Sequence, residues 1–172
     1  MTNYPFERED QLRDVESINL LHQNAGSEEW AWRGIKAKGR DNARTPMQWD
    51  AGENAGFSTA EPWIAVNPNY VNINAAAESK DENSVLNFYK QLIKLRNSTP
   101  ALKYGTFRML YPEHKQLFAY ERSYAGNTYT VVCNLSREDC AVPAEVNGDI
   151  VLKNCELADV LPPYGAFVTA AE

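Results

Sequence analysis

No stretch of the 172-residue sequence approaches the ~18 uninterrupted apolar residues that a membrane-crossing helix requires. The opening MTNYPFERED also lacks the basic region and apolar run of a secretion signal. These two absences lead to the expectation of a soluble, unsecreted, cytoplasmic protein with no membrane partner. Cysteine is scarce, and Cys133, Cys140 and Cys155 lack the close-spaced pairs used by zinc sites and redox motifs. Cys133 stands mid-strand in TYTVVCNL, where a small packed hydrophobe is expected, and unpaired thiols suit a reducing compartment. Basic clusters are missing too. With 17 Lys and Arg against 23 Asp and Glu, a net charge of −6 offers no footprint for a phosphate backbone, so nucleic acid is excluded as a partner. The two histidines, His22 on a predicted helix and His114 in the turn PEHK, read as ordinary residues. No repeat or low-complexity segment is visible, and no cofactor or metal site is expected.

A hydrophobic fraction of 44% is enough for one globular domain or two small ones. The pattern changes near Leu102. Before it lie helical segments and long irregular loops; after it, short β-type runs separated by turn residues. Residues 14–25 (DVESINLLHQNA) space Ile18, Leu21 and Ala25 as a helix, and Gly26 is a natural stop. Ser27 can cap a second helix through about Lys38, with Glu28 and Glu29 where the helix dipole favours acids. A further helix is predicted over 84–97 (SVLNFYKQLIKLRN). Its broad apolar coverage suggests packing on more than one neighbour, and Pro100 ends it. Strands are predicted over 105–111, 116–123, 127–135, 149–153 and 166–170, with a tight turn at Ala125-Gly126-Asn127. Tyr129, Val131, Cys133 and Leu135 alternate with Thr128, Thr130, Val132 and Asn134, as a strand with a core face requires. Several short strands at this spacing point to a small sandwich or Greek key.

Between the helices, residues 39–73 lose all period yet hold Trp49, Phe57, Trp63 and Tyr70, a density of aromatic residues that normally packs. Unstructured connections longer than ~12–15 residues are usually functional or disordered. In GRDNARTPMQWD, Arg40 and Arg44 offer rigid guanidinium forks suited to carboxylates or adjacent hydroxyls. Asn42, Gln48 and Trp49 extend the same vocabulary for a polyhydroxylated ligand. The alternative is a structural loop, its arginines tied to Asp41, Asp50 or backbone carbonyls and Trp49 plugging a junction.

RDNARTPMQWD, followed in order by AGFS, PWI, VNPNY and IN, resembles the C-terminal part of α-glucosidases of the α-amylase superfamily, oligo-1,6-glucosidases and dextran glucosidases in particular. MTNYPF and RDVESIN resemble the segment after the last barrel strand, SVLNFYKQLIKLR the final barrel helix, and the strands after Leu102 the C-terminal β-sandwich. The resemblance implies an α+β chain: residues 1–102 as the end of a (β/α)8 barrel and 103–172 as an antiparallel β-sandwich. It also implies retaining hydrolysis of α-glucosidic bonds, with the catalytic carboxyl pair on upstream strands and no catalytic residue in this chain. A complete barrel takes about 250 residues, and no βαβα alternation exists before Leu102. What the resemblance assigns here is substrate binding. Arg44, with Arg40 as second candidate, is expected to pair with an Asp from elsewhere in the barrel and hold the terminal glucose; Glu16 is expected to face the following sugar. Maltases and trehalose-6-phosphate hydrolases share much of the same segment, so linkage preference rests on MTNYPF. The rival reading is an autonomous carbohydrate-binding or interaction module that uses Trp49, Trp63 and the loop arginines as a platform.

Overall fold

The computed structural model describes residues 2–24, 26 and 28–171. The chain forms two compact units, Met1–Asn87 and Phe88–Glu172. Among the described residues, no helix is long and apolar enough to cross a membrane.

In the first unit, α1 (Val15–Gln23) and α2 (Glu28–Lys38) pack together. Their apolar faces, with the preceding segment, bury Phe6, Leu12, Leu21, Ala31 and Ile35. Gly26 closes the turn between them at φ 101°, a left-handed conformation that costs glycine nothing. Ala25 and Ser27, expected as a core position and a helix cap, lie outside the described residues. Glu28 and Glu29 open α2 and Lys36 and Lys38 close it, so both ends complement the helix dipole.

The long connection that follows is ordered by polar side chains. Gln48 is almost wholly buried and donates Nε2 to Asn69 Oδ1 (2.8 Å) and to the Ile73 carbonyl (2.6 Å). Asn67 and Asn74, also buried, accept backbone N–H groups from Asn69 and Ala77, the second capping the short α3 (Ala75–Glu78). Asn54, Ala55 and Gly56 all have positive φ (48°, 58° and 66°). This left-handed turn buries Ala55 completely and aims its carbonyl at the N–H groups of Trp49 and Asp50 (2.9 and 3.2 Å). The loop therefore replaces sheet and helix hydrogen bonds with amide and turn bonds, as a buried backbone must.

In the second unit, α4 (Val85–Ser98), whose first turn is where one unit passes into the other, leads to α5 (Pro100–Tyr104). Pro100 occupies the first turn of α5 behind Thr99, a position that needs no N–H donor. The expected multi-sided packing of α4 is not realised: none of its residues is buried, and Val85, Tyr89 and Ile93 are exposed. Seven strands follow among the described residues: β1 (Thr106–Leu110), β2 (Leu117–Tyr124), β3 (Asn127–Asn134), β4 (Cys140–Ala141), β5 (Asp149–Lys153), β6 (Val160–Leu161) and β7 (Ala166–Ala171). Five form an antiparallel sheet in the order β1-β2-β3-β7-β5, and β4 pairs with β6. The β2–β3 turn has positive φ at both Ala125 and Gly126 (51° and 89°), the left-handed pair whose twist suits a two-residue hairpin. The class is α+β, helices and long loops followed by an antiparallel sheet domain. All three cysteines are free, and burial raises the thiol pKa of Cys133 and Cys140.

The alternation of β3 is as expected, but its sides are exchanged. Thr130, Val132 and Asn134 are buried, whereas Tyr129, Val131 and Cys133 are half-buried and Leu135 is 65% exposed. The cause is Val132 and its neighbours Leu117, Ala119, Leu161 and Phe167, which build the core of the sheet domain on the side that looked polar. Asn134 is tolerated there because its amide donates to the carbonyls of Glu138 (2.8 Å), Leu161 (3.1 Å) and Pro162 (3.0 Å) and its Oδ1 accepts from Ser136 N and Oγ. Removing that amide takes away the donor that ties Glu138, Leu161 and Pro162 together and the acceptor of the Ser136 N–H. Asn134→Ala should therefore cost at least about 2 kcal/mol in urea unfolding, and Leu135→Ala less than about 0.5 kcal/mol. The reverse ranking would show that the faces are wrongly assigned.

Candidate substrate-binding site

The arginine-rich loop starts from a close approach. A Cβ on Gly39 would lie 2.7 Å from the Ile35 carbonyl and 3.3 Å from Ser17 Oγ, so only glycine lets the loop press against the end of α2 and the start of α1. Asn42 then brackets the turn Arg40–Ala43. It accepts from Tyr4 N (3.0 Å) and donates to the carbonyls of Ile35 (3.2 Å) and Gly39 (3.1 Å).

Two acids hold the loop on α1. Asp41 is 1% exposed, and its Oδ2 accepts the backbone N–H groups of Arg13 (2.7 Å) and Asp14 (2.9 Å), which precede α1. It thus serves the positive end of a helix to which it does not belong. Asp14 itself makes no cap bond; its Oδ2 accepts from Ser17 Oγ (2.9 Å) and its Oδ1 from Arg40 Nε and Nη2 (3.0 and 2.7 Å). Burial pushes the Asp14 carboxyl pKa up, but the hydrogen bonds from Arg40 and Ser17 outweigh burial and hold it below the ordinary value.

The predicted site residues stand as follows. Arg40 is committed to Asp14 and also places Nη2 3.4 Å from Glu16, which lies in the first turn of α1 and is 78% exposed at its side chain. Arg44 Nη1 is 3.6 Å from Asp41 Oδ1, a charge contact longer than a good hydrogen bond. Asp41 Oδ1 is buried without a hydrogen bond among the described residues. Arg40, Arg44 and Glu16 are thus linked through Asp14 and Asp41. Asn42 and the Gln48 Nε2 group, read from sequence as ligand-facing amides, are spent on holding the loop, while Gln48 Oε1 is buried without a hydrogen bond among the described residues. Trp49 is 53% exposed, and Asp50 Oδ1 accepts from Gly52 N rather than from an arginine. Asp14 as the partner of Arg40 was not legible in sequence; a pairing across 26 residues leaves no local spacing signal.

A general acid needs a raised carboxyl pKa, and Asp14 shifts the opposite way. Among the described residues, no group of His, Cys, Asp and Glu is placed to hold a metal ion. His22 Nε2 lies 2.9 Å from Glu9 Oε1 on the surface, and His114 Nδ1 accepts from Gln116 N and Leu117 N within its turn. What the constellation can do is present guanidinium groups, one anchored and one more loosely held, beside an exposed carboxylate, an arrangement suited to sugar hydroxyls.

Comparison with known proteins gives a consistent pattern. The family profile described as alpha amylase, catalytic domain, matches residues 3–105, and that described as maltogenic amylase, C-terminal domain, matches residues 107–168. An oligo-1,6-glucosidase of Bacillus cereus is 40% identical over 91% of this chain and 28% of its own length. A glucan 1,6-alpha-glucosidase of Streptococcus pneumoniae is 40% identical over 97% of this chain and 33% of its own length. A trehalose-6-phosphate hydrolase of Escherichia coli is 44% identical over 80% of this chain and 26% of its own length. The crystal structure of a trehalose-6-phosphate hydrolase of Bacillus licheniformis superposes with a TM-score of 0.88 at 31% identity, covering 99% of this chain and 34% of that one. The chain therefore spans about a quarter to a third of the length of the relatives it matches.

The Asp14 network carries a pH signature. A carboxyl whose pKa is lowered by folding contributes stability that is complete above the unfolded value, near 3.8, and is lost as pH falls through the lower folded value. Asp14→Asn should be less stable than the parent at neutral pH, and the gap should close as the pH is taken well below 3.8. Urea titrations across that range would read it; a gap independent of pH would show that the Asp14 charge is not what holds Arg40.

Proposed function

This chain belongs to the α-amylase family, and from that premise we propose that it supplies the substrate-gripping, C-terminal share of a retaining α-glucosidase acting on α-1,6 bonds of isomalto-oligosaccharides or dextran ends. Retaining hydrolysis needs a nucleophile and an acid/base about 5–5.5 Å apart. In this reading both belong to upstream barrel strands, so the isolated chain is inactive. The α-1,6 preference is supported by the resemblance to an oligo-1,6-glucosidase and a glucan 1,6-alpha-glucosidase, each 40% identical, over 91% and 97% of the chain.

Within the site, Arg44 pairs with an Asp of the upstream barrel and holds the terminal glucose. The observation that carries this assignment is the difference between the two guanidinium groups: Arg40 is engaged by Asp14 at 2.7 Å, while Arg44 has only a 3.6 Å contact to Asp41. Arg40 shapes the site from its anchored position, and Glu16, exposed beside it, faces the next sugar unit. Functionally the chain divides into a barrel remnant, residues 1–102, and a β-sandwich domain, residues 103–172, close to the boundary between the two family profiles. The three free thiols support a cytoplasmic setting.

The test is made with the chain joined in phase to an upstream oligo-1,6-glucosidase barrel. Arg44→Ala should lower kcat/KM on isomaltose by about 100-fold, the loss of one or two charge-assisted hydrogen bonds. The isolated 172-residue chain should release no nitrophenol from nitrophenyl α-glucoside. Turnover by the isolated chain that disappears when one of its own acids is replaced, or an Arg44→Ala fusion of unchanged activity, would overturn the reading.

A further inference from the structure

We propose that Asn147-Gly148, the dipeptide that leads into β5, is a site of self-modification, at which the Gly148 backbone nitrogen attacks the Asn147 side-chain amide and converts it to aspartate and isoaspartate. It is the one place in the sequence where asparagine precedes glycine. The Gly148 nitrogen gives up its proton and bonds to Asn147 Cγ; the Cγ–Nδ2 bond breaks and Nδ2 leaves as ammonia, carrying that proton and closing a five-membered succinimide. Water then opens the ring. Addition at Cγ gives aspartate, and addition at the backbone carbonyl carbon gives isoaspartate, in which the main chain runs through the side-chain carbon.

The fold itself demands the reactive neighbour. Gly148 has φ 106°, and a Cβ there would lie 2.4 Å from the Ala170 carbonyl oxygen, against the backbone of β7. Only glycine lets the chain enter β5 at this angle, and glycine is also the least obstructed nucleophile. The feature that permits the strand thus leaves Asn147 open to attack. A second contact favours the step. Thr169, 4% exposed, donates Oγ1 to the Asn147 carbonyl at 2.9 Å. That carbonyl shares a peptide group with the Gly148 nitrogen, so drawing electron density onto its oxygen makes the N–H easier to ionise.

The Asn147 amide is held only within its own loop. Among the described residues its Nδ2 has one acceptor, the Glu145 carbonyl two residues back at 2.9 Å, so turning it toward Gly148 breaks one hydrogen bond. Asn134, by contrast, spends its amide on carbonyls as far away as Pro162, and Asn67 reaches to Thr2. The reaction lies inside one dipeptide and needs no ligand and no second protein.

Its product bears on β5, the outermost strand of the five-stranded sheet. Pairing with β7 begins at Asp149 opposite Ala170 and is already irregular between Ile150 and Leu152. Isoaspartate adds a main-chain carbon immediately before this register, and either product puts a carboxylate between Glu145 and Asp149. Like charge and a displaced register both loosen an edge strand, so the sheet domain weakens with age.

The experiment is to hold the 172-residue chain in mildly alkaline buffer and follow its tryptic peptides by mass. Residues 138–153 form one such peptide, with Asn147 its only amide side chain. It should gain the mass of exchanging NH2 for OH and split into two species, one of which accepts a methyl group from an isoaspartyl methyltransferase. The rate should rise in proportion to hydroxide, because the attacking nitrogen must lose its proton, and peptides with other asparagines should stay unchanged over the same period. Asn147→Gln, which could close only a six-membered ring, should show no gain and keep its urea midpoint while that of the parent falls. Asn147→Asp, with the charge but no extra carbon, should fall between the two. An unchanged peptide mass in the native chain overturns the site, whether or not the urea-unfolded chain reacts. A converted chain with the urea midpoint of Asn147→Gln overturns the loosening of β5.

Discussion

One buried carboxylate organises the first unit. Asp41 lies in a loop without regular structure, yet its Oδ2 takes two N–H groups at the start of α1, 27 and 28 residues earlier in the chain. An unpaired buried carboxylate costs several kcal/mol, and this one is tolerated because the helix start, with its partial positive charge, faces it and Arg44 stands nearby. The consequence runs in both directions. The loop is positioned by the helix, and the helix start is satisfied by the loop, since Asp14, the residue in the cap position, turns its own side chain to Ser17 and Arg40. Arg40 and Arg44 flank this junction, Arg40 anchored on Asp14 and Arg44 held only by its 3.6 Å contact to Asp41.

That coupling explains what the sequence could and could not reveal. The helices and main strands were readable because their signals are local: the period of 84–97, the glycine stop at Gly26, and the two-residue turn at Ala125-Gly126. The two-residue strands β4 and β6 were not, being too short to hold an alternation. The face assignment of β3 went the wrong way because both sides carry apolar residues, so only the neighbours decide. Leu161 and Phe167, distant in sequence, select Val132 over Val131. The order of the RDNARTPMQWD segment pointed to sugar chemistry, but which of its polar residues are scaffolding depends on contacts across tens of residues. Asn42 and Gln48 have the same hydrogen-bonding groups as a ligand-facing amide, and only the carbonyls around them settle their role.

The polar economy of the loop also bears on its durability. Residues 39–74 have little regular structure, and the burial of Gln48, Asn67 and Asn74 would be costly were their amides not bonded to backbone. Each such bond is worth little net, but leaving one unmade is expensive, so the set acts through the penalty for breaking any member. A loop held in this way resists sliding and can present Trp49 and Trp63 at fixed positions, although both are more than half exposed. Exposure of an aromatic ring and order of its backbone are separate properties, and here they coexist because the anchoring residues are the neighbours Gln48 and Ile64.

The same separation applies to α4. Its apolar stripe through Val85, Tyr89 and Ile93 is exposed, and a helix gains little stability from such a stripe unless something covers it. On the proposed function the stripe belongs against upstream barrel elements, in keeping with a chain that spans about a third of its structural relatives. The alternative, a self-sufficient module, would have to explain why a helix of 14 residues keeps Val85, Tyr89 and Ile93 exposed. Selection for a free-standing domain removes such faces, because they invite association; selection for packing inside a larger fold preserves them. The composition of α4 therefore favours a part over a whole, on grounds independent of the arginine loop.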